Sequence, residues 1–454
     1  MTNNTDSNPT HLITLPDGRS LALDEAGNPN GAPVVLLASA PGSRRFDPDA
    51  SATTAAGIRL LTIDRPGDGA STPLADGTAP SWGAFADDLA HALVQIGIER
   101  TAVAGWSNGG SGALALAARH TALVSAVAVV GTPDHMHAIP VVQALRQGLA
   151  VYCEKPLAHS VHEIRTIREE TAKAKVVTQM GTQIHAGNNY RRVVETIQAG
   201  TIGPVKRVHV WLGSGVRTGQ RVKQGTPPAH VDYDLWLGPA PYRPFHTSHF
   251  HFNWRYWWDF GGGQLADFWC HYVDLVFWAL KLKAPTTVAA QGEKGHDGDN
   301  ECPNQMRIDY IFPAMGKQPP VHLTWYQGGW KPKGAEVYGK GSAVLFEGDD
   351  GRLLADYGSK KLFMEGGQQP DPIEQTIPNS IGHHKEWIEA VKGNGKTTCH
   401  FEYGGALAEA GLLGNVSYRA GKKKLEWDAE KLKATNCPEA DQYIRREYRK
   451  GWVL

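Results

Sequence analysis

Residues 125–131 read SAVAVVG, an uninterrupted apolar run that ends in glycine. Similar runs come earlier in the chain: VVLLASA at 34–40, RLLTID at 59–64 and TAVAG at 101–105. Runs rich in Val, Ile and Leu, without polar alternation, are typical of parallel strands that are covered on both faces. Because amphipathic stretches separate these runs, the sequence predicts a doubly wound α/β sheet.

The same alternation continues on both sides of this run. Upstream, HLITLPDGRSLALDEAG (11–27) predicts a hairpin that turns at its Pro-Asp-Gly segment. Downstream, a predicted helix at 137–147 leads to the strand GLAVYCEKP at 148–156. A charged helix then begins at Ser160, and Glu163 three residues later completes a predicted capping box. The strand VVTQMG follows this helix.

The pattern changes after Pro204. The segment VKRVHVWLG (205–213) alternates like a half-buried strand, and an aromatic, loop-rich segment follows it. The later runs are MRIDYIF, VHLTWYQ, AEVYG, AVLFEG, RLLADYG and KKLFME. Their spacing predicts an α+β domain with one large, mostly antiparallel sheet.

Composition excludes several classes of function. The chain has 46 basic and 46 acidic side chains, so no excess charge indicates a nucleic-acid or membrane partner. Five cysteines without CxxC spacing indicate neither a disulfide framework nor a zinc site, and we expect no metal. The polar residues 1–10 do not resemble a secretory signal, and no run approaches the ~18 apolar residues of a membrane span. We therefore expect a cytoplasmic protein.

A candidate nucleophile lies in GWSNG (105–109), which matches the pattern G-x-S-x-G between a predicted strand and a predicted helix. A serine in such a tight turn can use helix N-terminal amides to bind an oxyanion. Three segments resemble the α/β-hydrolase superfamily: APGSRRFDPDA (40–50), GIRLLTIDRPGDGAST (57–72) and AVAGWSNGG (102–110). The resemblance implies Ser107 as the nucleophile, with oxyanion amides from Asn108 and from the loop after Ala38.

The hydrolase pattern is incomplete in two places. Ser39-Ala40 stand where family members usually carry His-Gly, and the family's acid and histidine would follow strands that this chain lacks. A serine hydroxyl without a base stays protonated at neutral pH and is a poor nucleophile. Asp134, His135 and His137 follow the next strand. They either replace the missing partners or belong to a second site.

The rest of the chain resembles a different family, the Gfo/Idh/MocA oxidoreductases. The segments that carry this resemblance are AVAVVGTPDHMHA (126–138), GLAVYCEKPLA (148–158), TQMGTQIH (178–185), WLGPAP (236–241), WRYWWDFGGGQLADFWCHYVD (254–274) and the closing run 401–428. The resemblance implies NAD or NADP as cofactor and a sugar, polyol or related carbinol as substrate. The predicted domains are a hydrolase-like half (1–130), the remainder of a Rossmann-like domain (131–204) and a C-terminal sheet domain (205–454).

Three residues of the second family suit hydride chemistry. Removing a hydride from a carbinol carbon requires a base for the hydroxyl proton and a cation for the developing alkoxide. Asp267 and His271 are four residues apart and share one face of a predicted helix. The resemblance implies His271 as the acid/base, with Asp267 assisting it, and Lys155 as the cation that polarises the reacting oxygen.

The resemblance also implies residues that contact cofactor and substrate. Thr132, Pro133, His137 and Glu154, together with Lys155, would line the nicotinamide side, and Asp274 would bind substrate. Trp254 and its neighbours Trp257 and Trp258 would either stack on a sugar ring or form a buried aromatic cluster.

The phosphate-binding loop of a dinucleotide site is missing. No G-x-G-x-x-G follows a strand anywhere in the chain, and PGSRR (41–45) is the loop nearest to the expected position. The leading hypothesis is an oxidoreductase with impaired cofactor binding. The alternatives are a serine hydrolase that uses Ser107 and a fusion without catalysis. The sequence does not determine the substrate or the choice of NAD or NADP. It also leaves open how the two family-like parts came to be connected at residues 125–132, a boundary called the join below. A homo-oligomer is expected only by analogy with the family.

The join leaves two sheet orders open. The hydrolase order places strands 59–64, 34–40, 101–105 and 125–131 side by side, followed by 149–153. The oxidoreductase order would place its third strand on the far edge instead.

Overall fold

The computed structural model describes residues 10–38, 42–78, 81–105, 109–128, 130–213, 220–228, 231–250, 252–367 and 370–454. Ser107 and Asn108 of the predicted nucleophile turn lie outside the described residues, as do Ser39, Ala40 and Pro41.

The front of the chain forms a six-stranded sheet in the order β1-β2-β4-β3-β5-β6. Its strands are His11–Thr14 (β1), Ser20–Gly27 (β2), Pro33–Leu37 (β3), Arg59–Ile63 (β4), Thr101–Gly105 (β5) and Val124–Ala128 (β6). The first two strands form the predicted hairpin, and β4, β3, β5 and β6 run parallel. The helices of this part are Ala50–Ala56 (α1), Trp82–Gln95 (α2) and Gly109–Arg119 (α3).

The sheet continues past β6 through a single bridge. The next elements are Ala138–Arg146 (α4), Val151–Glu154 (β7), Val161–Ala174 (α5), Thr178–Gly181 (β8) and Asn188–Gln198 (α6). β7 and β8 pair in parallel, and Val130 bridges Cys153 in the same sense. The Val130 amide donates to the Tyr152 carbonyl at 3.0 Å, and the Glu154 amide donates to the Val130 carbonyl at 2.9 Å. The chain therefore follows the hydrolase strand order across the join.

The C-terminal part contains a nine-stranded sheet in the order β15-β14-β13-β9-β12-β11-β10-β16-β17. Its elements are Val205–Trp211 (β9), Tyr233–Leu237 (α7), Gly263–Leu280 (α8), Thr287–Glu293 (β10), Gln305–Phe312 (β11), Val321–Gln327 (β12), Ala343–Gly348 (β13), Gly351–Ala355 (β14), Lys360–Met364 (β15), His383–Val391 (α9), Phe401–Arg419 (α10), Leu425–Asp428 (β16), Lys433–Ala434 (β17) and Asp441–Ile444 (α11). β9 pairs with β12 in parallel, and the other neighbouring pairs are antiparallel. The predicted fold class, a doubly wound sheet followed by a mostly antiparallel one, is confirmed.

One predicted strand of this sheet is wrong. AEVYG was predicted as a strand, but Ala335–Tyr338 form a single 3-10 turn. Gly334 and Gly339 flank this turn with φ angles of 83° and 61°. Left-handed backbone at both ends of a four-residue segment is incompatible with a continuous strand.

Separate hydrophobic cores lie on the two sides of the join. The core of the front sheet ends at Val124, and a larger core begins at Val130 and extends to Ile444. α8 lies within the larger core and packs against α10, where Gly411 faces Trp269. A Cβ at Gly411 would lie 2.6 Å from the indole ring, so the close approach of these helices requires glycine. Among the described residues, no helix combines the length and the apolar character needed to cross a bilayer.

Candidate functional site

The candidate site lies where several parallel strands end. Thr132 and Pro133 follow the Val130 bridge, and Glu154 and Lys155 end and follow β7. In open α/β sheets, ligands bind in the crevice beyond the carboxyl ends of the strands. The first turns of α8 complete the crevice with Asp267, which the contacts below place against Lys155.

Lys155 and Asp267 form a buried ion pair. The Lys155 Nζ donates to Asp267 Oδ1 at 2.5 Å and to the Asp267 carbonyl at 2.5 Å. Their side chains are 12% and 9% exposed. Burial alone would raise the pKa of Asp267, but the charges of Lys155 and Arg255 outweigh it and hold that pKa below its usual value. The Asp267 carboxyl group is therefore ionised, and its hydrogen bonds fix the Lys155 side chain at the end of β7.

Arg255 is the site residue that sequence reasoning missed. Its Nε donates to Asp267 Oδ1 at 3.1 Å, beside the lysine. Its guanidinium lies 4.3 Å from the ring centre of Trp254 and 4.2 Å from that of Phe252. The signal in the sequence was an arginine within the aromatic run that precedes the GGG segment. Two cations thus share one carboxylate.

Asp134 is a second acidic group in this environment. It is 6% exposed, and burial raises its pKa to about 7, against the opposing charges of Arg255 and Lys155. A carboxyl group with such a pKa exists in both protonation states near neutral pH. Asp134 therefore interacts electrostatically with Lys155, Arg255 and Asp267, and its membership of the second site stays a prediction.

His271 lies one turn after Asp267 on α8, as predicted, but the carboxylate does not orient it. Asp267 contacts Lys155 and Arg255 instead, and no hydrogen bond to the imidazole is present among the described residues. The imidazole packs edge-on against Phe268 with 6.2 Å between ring centres. Burial, reinforced by the charge of Lys155, lowers the pKa of His271 to about 4. His271 is therefore a neutral imidazole at physiological pH and is able to accept a proton.

The residues predicted on the nicotinamide side differ in exposure. Thr132, Pro133 and Glu154 are half-buried, and burial raises the pKa of Glu154. Gln183 approaches the Glu154 carboxylate at 3.3 Å. A Cβ at Gly181 would lie 2.4 Å from Glu154 Oε2, so glycine is needed beside this carboxylate. These groups are available to line a flat ring.

His137 does not line the cleft. It is 1% exposed, and its ring nitrogens lie 2.8 Å from the carbonyl oxygens of Pro156 and Thr132. Burial lowers the pKa of His137. The side chain therefore ties the loop after β6 to the loop after β7, and its predicted cofactor contact is corrected to a positioning role.

Asp274 is also more deeply placed than predicted. Asp274 is 0% exposed. Its carboxylate accepts hydrogen bonds from His185 Nδ1 at 2.9 Å and from the Tyr403 hydroxyl at 2.7 Å. A carboxylate with no exposed surface and two protein donors does not contact a substrate in this conformation. We correct its predicted role from substrate binding to support of the core.

The His185–Asp274 pair lies beside a buried thiol. One ligand atom each from His185, Asp274 and Cys399 lie within 4.8 Å of one another. The first two are already hydrogen-bonded together, and Tyr403 satisfies the carboxylate as well. The hydrogen-bond network accounts for the positions of His185 and Asp274.

Trp254 belongs to a buried aromatic cluster, the second of the two alternatives left open by the sequence. It is 8% exposed. Its partners in the cluster include Tyr233, Phe245, Trp257 and Phe260. Its ring also contacts the Arg255 guanidinium. Trp254 thus supports Arg255 rather than presenting an open face to a sugar ring.

The described residues suit the nicotinamide end of a dinucleotide better than its pyrophosphate end. Arg44 of the PGSRR loop is 6% exposed and pairs with Asp64 at 2.5 Å and Asp24 at 3.3 Å. The helix after β3 begins only at Ala50, and its cap Asp49 accepts a hydrogen bond from the Ala52 amide at 3.0 Å. A carboxylate at a helix N-terminus occupies the position where a phosphate would bind and repels it. The described part of this loop thus offers no cradle for a pyrophosphate.

The glycines around the predicted nucleophile are tightly packed. β5 ends at Gly105 and α3 begins at Gly109. A Cβ at Gly109 would lie 2.0 Å from the Leu37 carbonyl oxygen, and one at Gly105 would lie 2.4 Å from Gly110. Closely packed glycines at the end of a strand and at the start of the next helix are typical of a nucleophile elbow. The histidines proposed as replacement partners are engaged elsewhere, since His135 Nε2 lies 3.0 Å from the Trp236 carbonyl.

Comparisons with known proteins separate the same two parts. The profile for the alpha/beta hydrolase fold matches residues 32–152. The profile for the C-terminal alpha/beta domain of the Gfo/Idh/MocA oxidoreductase family matches residues 207–454. The two-family layout predicted from the sequence is confirmed.

Individual relatives match short stretches. A proline iminopeptidase from Xylella fastidiosa is 36% identical over 116 residues, which is 24% of this chain and 35% of that protein. Inositol 2-dehydrogenase 3 from Saccharopolyspora erythraea is 38% identical over 74 residues, which is 16% of this chain and 22% of that protein. The chain thus spans about a third or less of the length of these relatives.

A solved oxidoreductase from Thermotoga maritima has a similar fold. Its TM-score is 0.51 at 13% identity, with 87% of this chain and 98% of that chain covered. This likeness supports the architecture of a sheet domain joined to a Rossmann-type domain.

Proposed function

Because the chain belongs to the Gfo/Idh/MocA oxidoreductase family, we propose that it transfers a hydride between a nicotinamide cofactor and a carbinol carbon of a sugar or polyol. The observation that carries this proposal is the Lys155–Asp267 ion pair, with 2.5 Å between Nζ and Oδ1, one helical turn from a neutral His271. The similarity to an inositol 2-dehydrogenase supports a polyol as the substrate class.

The side chains divide the chemistry of the hydroxyl group between them. The neutral His271 accepts the hydroxyl proton as the carbon–oxygen bond gains double-bond character. Lys155 stabilises the negative charge that develops on the oxygen, and Asp267 and Arg255 hold its ammonium group in place. A nicotinamide ring, when bound, supplies the acceptor for the hydride.

We further propose that the nicotinamide dinucleotide binds weakly. The Asp49 cap and the paired Arg44 disfavour a pyrophosphate at the loop where a dinucleotide site would hold it. Thr132, Pro133 and Glu154 can still contact the nicotinamide ring, so most of the remaining affinity would come from that half of the cofactor.

A fluorescence titration tests both parts of this proposal. NADH, NADPH and reduced nicotinamide mononucleotide would be titrated against the protein, followed by turnover with myo-inositol. We expect saturable binding with dissociation constants on the order of millimolar, equal within about threefold for NADH and the mononucleotide. Sub-micromolar binding of NADH alone would contradict weak binding. Absence of saturable binding for all three compounds would remove the oxidoreductase function and favour a fusion without catalysis.

Serine hydrolysis is the second candidate, favoured by the packing of Gly105 and Gly109 around the predicted elbow. We expect Ser107→Ala to hydrolyse an activated ester such as p-nitrophenyl acetate at the same rate as the wild-type protein, because the sequence does not supply the acid and histidine of the hydrolase family at their expected places. The matched control is Ser160→Ala, which removes a hydroxyl from the cap of α5. A rate at least about tenfold lower in Ser107→Ala alone would establish the hydrolase instead.

A further inference from the structure

A cavity of about 330 Å³ lies in the aromatic segment between β9 and α8. Its lining residues are Val222, Arg243, Pro244, His246, His249, Trp257 and Asp299. The volume is at the lower end of the range for small-molecule sites and suits a molecule of monosaccharide size. The lining includes neither Lys155 nor His271, so the cavity is distinct from the proposed reaction centre.

Several lining side chains have polar atoms without a partner. The Nδ1 atoms of His246 and His249 and the Nε1 atom of Trp257 are buried and make no hydrogen bond to any described residue. His249 is 1% exposed and Trp257 is 4% exposed. Buried polar groups in folded proteins are nearly always hydrogen-bonded, and each unpaired one is costly. Three such atoms lie on residues that line one cavity, and a polar ligand there would give them partners.

The charges around the cavity disfavour an ionic ligand. Arg243 pairs with Asp259 and with Glu301, the latter at 2.6 Å, so two carboxylates already compensate its charge. A third carboxylate, Asp299, lies at the exposed rim and would repel an anion. A cation is disfavoured because the Arg243 guanidinium already lies 5.5 Å from the ring centre of Trp257. A neutral ligand remains.

The available groups suit hydroxyls. A neutral imidazole has one donor and one acceptor nitrogen, and the indole N–H is a donor, so together they match alcohols that both donate and accept. Burial, followed by the charge of Arg243, lowers the pKa of His249 to about 3, which keeps that imidazole neutral. We propose that this cavity binds a small, neutral, polyhydroxylated molecule, such as a monosaccharide or a cyclitol, at a site separate from Lys155.

One short segment links the two sites. Arg255 contacts Asp267, and Trp257, two residues later, lines the cavity. The cavity proposal does not depend on hydride transfer, since none of its side chains takes part in that chemistry. Binding can therefore be measured without cofactor, and failure of one proposal leaves the other standing.

Isothermal titration of the full-length protein with myo-inositol and with D-glucose, without nicotinamide, tests the proposal. We expect saturable binding that Trp257→Phe weakens about three- to tenfold, because the indole N–H is lost while a smaller aromatic ring remains. His249→Phe should weaken it at least as much. Trp236→Phe is the matched control, since that ring belongs to the same cluster but does not line the cavity.

A Lys155→Met variant separates the two possible locations of a bound sugar. Unchanged binding in this variant, with weaker binding in Trp257→Phe, supports the cavity. Loss of binding in Lys155→Met with unchanged binding in Trp257→Phe places the sugar at the reaction centre and overturns the proposal. Absence of saturable binding by either probe, or equal binding by the wild type and both cavity variants, would show that the cavity holds water only.

Discussion

Replacing Lys155 by methionine is expected to lower kcat for hydride transfer at least about a hundredfold. Methionine keeps most of the unbranched apolar stem, but the ammonium that lies 2.5 Å from Asp267 Oδ1 is lost. Without it, the negative charge that develops on the substrate oxygen loses its proposed cation, and the Arg255 Nε is directed at the Asp267 carboxylate instead. The measurement is NADH formation from myo-inositol at the highest attainable cofactor concentration.

A matched variant separates this effect from a general loss of lysine charge. Lys173 is 69% exposed and pairs with Glu170 on the surface of α5, so Lys173→Met should keep kcat within about twofold. The Lys155 variant should also bind reduced nicotinamide mononucleotide about as well as the wild type. A drop in cofactor affinity with unchanged kcat would contradict the assignment of Lys155 to the reacting oxygen.

The sequence predicts this site well where local patterns determine the geometry. Asp267 and His271 were expected on one helix face because a four-residue spacing corresponds to about one helical turn, and α8 contains both. Lys155 was expected after a strand, because GLAVYCEKP is apolar up to its end, and β7 stops at Glu154. Such predictions need only the period of the local structure.

Long-range contacts were not predictable in the same way. Whether Asp267 would contact His271 or Lys155 depends on how α8 packs against the end of β7, and 112 residues separate Lys155 from Asp267. His137 was expected on the nicotinamide side, yet its ring nitrogens lie against two backbone carbonyl oxygens. The burial of Asp274 likewise depends on α10, whose Tyr403 is distant in sequence.

The join between the two families follows from strand geometry. A parallel strand rich in Val and Ala satisfies either family, since it needs only apolar side chains on both faces. Val130 then continues the pairing through its amide and carbonyl to residues of β7. The sheet remains connected because hydrogen bonds between parallel backbones do not depend on side-chain identity. What is lost is the glycine-rich turn, which neither local pairing nor apolar packing restores.

Substitution of Asp274 by alanine is expected to lower the free energy of unfolding by about 3–5 kcal/mol. The carboxylate is fully buried and accepts hydrogen bonds from His185 Nδ1 and the Tyr403 hydroxyl at 2.9 and 2.7 Å. Alanine would leave His185 Nδ1 unpaired inside the core, where its ring also stacks on Trp278 with 4.1 Å between ring centres. The Tyr403 hydroxyl would lose its shorter bond and keep only the backbone carbonyl of residue 274 at 3.1 Å. Asparagine keeps one acceptor oxygen, so Asp274→Asn should cost only about 1–2 kcal/mol.

Urea unfolding followed by circular dichroism measures these losses. Asp297→Ala is the matched control, because that side chain is 82% exposed and pairs only with the exposed Arg221 among the described residues. Its substitution should change the stability by less than about 0.5 kcal/mol. The opposite pattern, in which Asp274→Ala unfolds like the wild type but loses turnover with myo-inositol, would return this carboxylate to the substrate site. Only a structural role makes the alanine variant much less stable than the asparagine variant, because only that role depends on pairing two buried donors.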